Sequence, residues 1–181
     1  MLISLFFSVS IYAQHIGIKH NLAYDVTLTP NLGVEVAFSK KITFEVSAGY
    51  NPFEFDDTYL KHFFIQPELK YWFCEKFNGF YVGLHGHYGD FDVCNIKLPF
   101  DLYQQLNGRR YDVSLYGAGL SLGYGWPLSK RWNLETAVGA GYARVKYARH
   151  HSMASEETYE PGYKNYFGPT SASISFIYFI R

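Results

Sequence analysis

The 181-residue chain contains no run of about 18 apolar residues, so nothing in it reads as a membrane-spanning helix. It carries no net charge, 16 Lys+Arg balancing 16 Asp+Glu, and it has no basic cluster. A nucleic-acid binder needs a positive footprint, so that class is excluded. No Walker loop, dinucleotide fingerprint, zinc-ligand spacing or catalytic-cysteine context occurs, so the sequence assigns no nucleotide partner, no cofactor, no metal and no catalytic residue. The chain has only two cysteines, Cys74 and Cys94. They fall at opposite ends of one expected strand, roughly 35 Å apart at about 3.3 Å per residue. A disulfide needs Cα atoms within about 7 Å, so both are expected to be unpaired.

What the chain does have is aromatic: 3 Trp, 17 Tyr and 16 Phe make up 20% of it, with 16 Gly besides. With 48% hydrophobic residues, disorder is excluded, since disorder comes from low hydrophobicity and high net charge. The length suits one domain with a real core. Residues 1–13, MLISLFFSVSIYA, are apolar, uncharged and too short to cross a bilayer as a helix, and the small Ala13 closes them. They read as a secretory signal peptide cleaved before Gln14, which leaves 14–181 as the domain.

From Gln14 onward the dominant period is two, the period of strands. Ile16, Ile18, Leu22, Tyr24, Val26 and Leu28 alternate with smaller or polar residues up to a Thr29-Pro30-Asn31 turn. Leu32 to Phe38 and Ile42 to Tyr50 repeat the pattern around Lys40-Lys41, and a connection of roughly 52–61 follows. Next come Ile65 to Phe73, Phe80 to Gly89, Tyr116 to Trp126, Trp132 to Tyr142 and Ser171 to Ile180, with long connections at 91–110 and 147–165. Pro67 lies inside the fourth strand and cannot donate to a ladder, so a bulge is expected there. Eight strands and no credible helix predict an all-β, eight-stranded antiparallel up-and-down barrel.

Two polarities are open to such a barrel: a soluble ligand-binding one with an apolar interior, and a transmembrane one with an apolar outside. One face here is Leu, Ile, Val, Phe, Tyr and Trp, while the other is Gly, Ala and Ser with Lys19, Asp25, Glu35, Glu45, Glu68, Lys70 and Glu135. An eight-stranded interior is only just wide enough for side chains, so only the second face fits inside. The bulky face then meets lipid, and Tyr50, Phe73, Phe80, Tyr88, Trp126, Trp132, Tyr142 and Tyr178 suit interfacial girdles. Connection lengths agree. The turns at Ser39–Lys41, Cys74–Gly79 and Pro127–Arg131 are short and expected to be periplasmic with both termini. Three of the four opposite connections are the longest in the chain, as outer-membrane barrels require, with Thr29–Asn31 the short exception.

The strings GIKHNLAYD (Gly17–Asp25), TPNLGVE (Thr29–Glu35), QPELKYWFCEKFNG (Gln66–Gly79), KRWNLE (Lys130–Glu135), GYARVKY (Gly141–Tyr147) and KNYFGPTSASIS (Lys164–Ser175) together resemble a family of outer-membrane β-barrel proteins from Bacteroidota, catalogued as a domain of unknown function. The resemblance spans nearly the whole of 14–181. It implies a barrel in the Gram-negative cell outer membrane. Some relatives lie near fimbrial genes, which implies a surface or fimbrial protein partner. It carries over no catalytic residue.

The interior-facing set is five acids to two bases, so ion pairs with Lys19, Lys70 and Arg144 are expected. A cation-conducting pore is the alternative, and plugging by these charges is the reading preferred for so narrow a barrel. His85 and His87, at i and i+2, share the interior face. They read as hydrogen-bonded filler, or else as a metal site or general base, with no third ligand placed by the sequence. A lipid-modifying enzyme, with acyl-transfer or deacylation chemistry, is a second function class. It would join one of these histidines to Ser171, Ser173 or Ser175 and to Glu135, without diagnostic spacing. The preferred reading is non-enzymatic. The barrel anchors loops 91–110 and 147–165 for adhesion, docking or envelope integrity, with outer-membrane lipid around it.

Overall fold

A computed structural model describes residues 16–52, 54–55, 58–94, 110–149 and 162–180. The expected signal peptide and the centres of the two long loops lie outside these residues. The strands are β1 (Ile16–Asn21), β2 (Asn31–Ala37), β3 (Ile42–Asn51), β4 (Glu54–Phe55), β5 (Thr58–Trp72), β6 (Gly79–Cys94), β7 (Arg110–Pro127), β8 (Trp132–Arg149) and β9 (Gly162–Ile180). All pairings are antiparallel. β1 pairs β2 and β9, β3 pairs β2 and β5, and β5 to β9 follow in sequence order. The β3–β5 and β1–β9 pairings close the ring, so eight strands form a barrel and the two-residue β4 caps the start of β5. The two ends of the barrel chain meet, Ile16 lying opposite Ile180.

Alternation sets which side chains enter the ring. Glu35, Thr43, Lys70, Trp72, His85, Asn133, Glu135 and Ser175 are buried, whereas Leu120 and Val138 are 68% and 66% exposed on the outside. The interior is polar and the wall apolar, the reverse of a soluble barrel. Outward positions are free of charge over Phe63–Phe73, Phe80–Tyr88, Tyr116–Trp126 and Trp132–Tyr142, nine to eleven residues each. That matches the roughly 9–11 residues a tilted strand needs to cross a bilayer. Aromatic pairs rim the band at the turn end, including Phe80 with Tyr124 at 4.7 Å and Trp132 with Tyr178 at 5.0 Å between ring centres.

Two turns at that end share one design. Ser39 Oγ accepts from the backbone N–H of Lys41 and Ile42, and Ser129 Oγ accepts from those of Arg131 and Trp132. In each, the residue before the serine donates its N–H to the carbonyl of the residue that opens the next strand, both at 3.0 Å. The third turn places Phe77 at φ 62, which swings its ring under the barrel.

Five expectations change. The first strand ends at Asn21 and not at Leu28, because Leu22–Thr27 is a 3-10 turn that Asn21 caps by accepting the Ala23 N–H, with Leu28 left-handed at φ 52. Asp25 is therefore not a lumen residue: it is exposed and meets His20 at 3.1 Å. The first connection opposite the turns is accordingly 22–30, which removes the one short exception among those loops. Pro67 makes no bulge. The ladder to β3 runs through it in register, and only the ladder to β6 skips Gln66 and Pro67, so the missing donor faces one neighbour alone. The register shift falls instead in β9, where Gly139 faces Ser171 and Ala140 faces Pro169. Finally, β6 to β9 run further than the alternation suggested, so part of 91–110 and of 147–165 is strand.

Candidate functional site

Register builds the interior site. Glu35, Glu45 and Glu68 are successive cross-strand partners on β2, β3 and β5, and His85 on β6 is next. Like charges directly opposite one another are destabilising, so this row needs cations. Lys19 from β1 and Lys70 from β5 supply them, and Glu135 from β8 reaches in from the other wall. Lys70 Nζ lies 2.9 Å from Glu35, 2.6 Å from Glu45 and 2.8 Å from Glu135. Lys19 Nζ lies 2.8 Å from Glu45 and 2.5 Å from Glu135. Thr43 donates to Glu35 at 2.5 Å, Trp72 Nε1–H donates to Thr43 at 2.9 Å, and Tyr81 donates to Glu135 at 2.8 Å. Every ammonium here has at least two carboxylates, which is what a buried charge requires.

Oxygens of Glu35, Glu45 and Glu135 come within 4.8 Å of one another, a spacing that could hold a metal ion. Lys70 Nζ stands among all three. The fold thus places its own cation where an ion would go, and the cluster is a cross-brace.

Two expected members stand apart. Glu68 is buried but accepts from Ser121 across Gly83, and no ion pair joins it to the lysines among the described contacts. A Cβ on Gly83 would collide with both of those side chains, so glycine makes the crossing possible. Arg144 points outward and lies 4.9 Å from the Tyr163 ring, away from the cluster.

Sequence reading missed an aromatic plug below the charges. Trp72, Tyr81 and Phe77 are buried together, Trp72 lying 4.6 Å from Tyr81 and Phe77 4.7 Å from Phe179 between ring centres. Trp72 continues the inward alternation of Glu68 and Lys70, and that was the available signal. Above the charges a cavity of about 30 Å³ is lined by Ser121, Ser171, Ser173, Ser175, Glu45 and Glu68, room for about two water molecules. Tyr24 covers it, stacked on Phe64 at 4.4 Å, and burial raises the Tyr24 phenol above its ordinary pKa.

His85 is fully buried, and its Nε2 lies 2.9 Å from Thr170 Oγ1. The shifted register of β9 turns that threonine inward. His87 follows on the same face, with ring centres 5.6 Å apart. Of the triad drawn from sequence, Glu135 belongs to the lysine cluster, and the hydroxyl at His85 Nε2 is that of Thr170. Cys74 is free and exposed in the third turn, while Cys94 ends β6.

An antiparallel ring of eight strands with a charged interior and an apolar wall defines the class: a closed β-barrel of inverted polarity. Within it, the chain belongs to the family described as a protein of unknown function (DUF3575), which it matches over residues 1–180. No curated protein matches the chain. Among solved structures it is similar to the N-terminal β-barrel domain of OprF from Pseudomonas aeruginosa. The two are 11% identical, with a TM-score of 0.37, over 92% of this chain and 94% of that one.

Proposed function

We propose that this protein is a non-enzymatic outer-membrane barrel that holds surface loops in place. One observation carries the reading: the outward band between the aromatic rims bears no charge, while every described Lys and Glu at mid-height points inward. In water that wall would be a continuous apolar surface far beyond the few hundred Å² a soluble monomer exposes. In lipid it is the expected skin of a transmembrane barrel. The short turns and both chain ends then face the periplasm. Loops 91–110 and 147–165 face outward as the docking surface for a surface or fimbrial protein, a partner the resemblance to Bacteroidota barrels suggests. The interior cross-brace and aromatic plug support a scaffold over a pore.

Extraction and gel migration test this. The expected result is a protein that leaves the envelope only with detergent and shifts in migration when boiled. A monomer soluble without detergent would overturn the membrane reading. Planar-bilayer recordings showing steady single-channel conductance would overturn the scaffold reading while leaving the membrane reading intact.

A further inference from the structure

We propose that His85 and His87 form a two-imidazole site for a divalent transition-metal ion of the copper, nickel or zinc class, facing the barrel interior above the charge cluster. It is independent of where the barrel sits. At i and i+2 on β6 both rings enter the lumen on one face, tilted by 37° with centres 5.6 Å apart. Metal–nitrogen bonds of about 2.0–2.1 Å put the ion ~3.2 Å from each ring centre, so bond angles near tetrahedral or trigonal separate the centres by ~5.2–5.5 Å. The rings therefore already stand at the spacing that one shared ion requires.

Buried imidazoles ordinarily satisfy both ring nitrogens. Here the Nδ1 atoms of both His85 and His87 are buried without a hydrogen-bond partner. Their Nε2 atoms lie against β7: a Cβ on Gly119 would come within 2.8 Å of His85 Nε2, and one on Gly117 within 2.6 Å of His87 Nε2. In the tautomer in which His85 Nε2–H donates to Thr170 Oγ1, Nδ1 keeps a free lone pair, the usual support of a metal-binding histidine. Neither lysine of the cluster ion-pairs in this layer; Lys70 is bound to Glu35, Glu45 and Glu135, and Lys19 to Glu45 and Glu135. Imidazole suits copper, nickel and zinc, and copper binds most tightly.

The test uses the full tag-free chain folded in detergent, with Cu2+ alone as the probe, read by electron paramagnetic resonance and by titration. The expected result is one Cu2+ per chain with hyperfine structure from two nitrogens. His85→Ala and His87→Gln should each weaken binding about tenfold or more, and His20→Gln on the outer surface should not. Boil-dependent migration reports folding. If His85→Ala fails to fold, the half-buried His87→Gln decides alone. Affinity and spectrum unchanged in His87→Gln, or no protein-bound copper in the folded chain, overturns the site.

Discussion

Lys70 is the residue on which the interior depends. It is fully buried, its ammonium meets three carboxylates, and it lies 4.9 Å from the Tyr81 ring centre. Replacing a buried ion pair whole is often harmless, but removing one partner leaves the other charge buried and uncompensated. Lys70→Met should therefore cost about 3–5 kcal/mol in urea unfolding measured in vesicles. Lys70→Met with Glu35→Gln should recover part of that loss. An equal loss in single and double variants would show that the cluster is not a coupled unit. Strand alternation put Lys19, Glu35, Glu45, Lys70 and Glu135 on one face. It could not show that Glu68 would turn to Ser121, because that depends on the open space over Gly83 on a neighbouring strand. Asp25 failed for a local reason. Its alternation continues that of β1, but the Asn21 side chain captures the Ala23 N–H and ends the ladder first, and such local bonds compete with strands.

Among the elements, the three turns carry unequal information. Phe38-Ser39-Lys40-Lys41-Ile42 and Leu128-Ser129-Lys130-Arg131-Trp132 spell one turn twice, with the serine satisfying the two N–H groups that the turn exposes. The turn after β5 has no such spelling, and its content is tertiary. Phe77, left-handed at φ 62, packs on Trp72 and Phe179, and its carbonyl accepts from Asn133 at 2.8 Å. A left-handed phenylalanine is costly in isolation, so the packing must sustain it. Phe77→Ala should lower stability by about 3–5 kcal/mol, in the range of a buried aromatic truncation, as read from the shift in urea midpoint at unchanged slope. A change near zero would mean that the plug is not packed in the folded barrel. Pro67 shows the opposite limit. A proline within a strand predicts disruption, yet a residue in an antiparallel strand directs its N–H to one neighbour only, so β3 pairs with β5 undisturbed.

At the scale of the whole molecule, the decisive property is what solvent the wall meets, and one substitution separates water from lipid. Leu120 is 68% exposed at mid-band on β7, between outward Ala118 and Leu122 and remote from the interior charges. If the wall faced water, Leu120→Arg would change a surface residue away from any special feature, and such changes stay within about 0.5 kcal/mol. Facing the bilayer midplane, the same arginine costs about 2–4 kcal/mol, and the penalty falls toward zero near the interfaces. The expected profile is therefore graded by height. Leu120→Arg and Val138→Arg should be strongly destabilising in vesicles. Ser114→Arg, on the outward face beyond Tyr116 and near Asp90 and Asp112, should be tolerated. The measurement is reversible urea unfolding of each variant in phosphatidylcholine vesicles. A flat profile with all three near wild type would return the wall to water, and with it the meaning of the aromatic rims. The fold itself would survive that outcome, since ring closure rests on backbone pairing from β1 through β9 and not on the solvent outside.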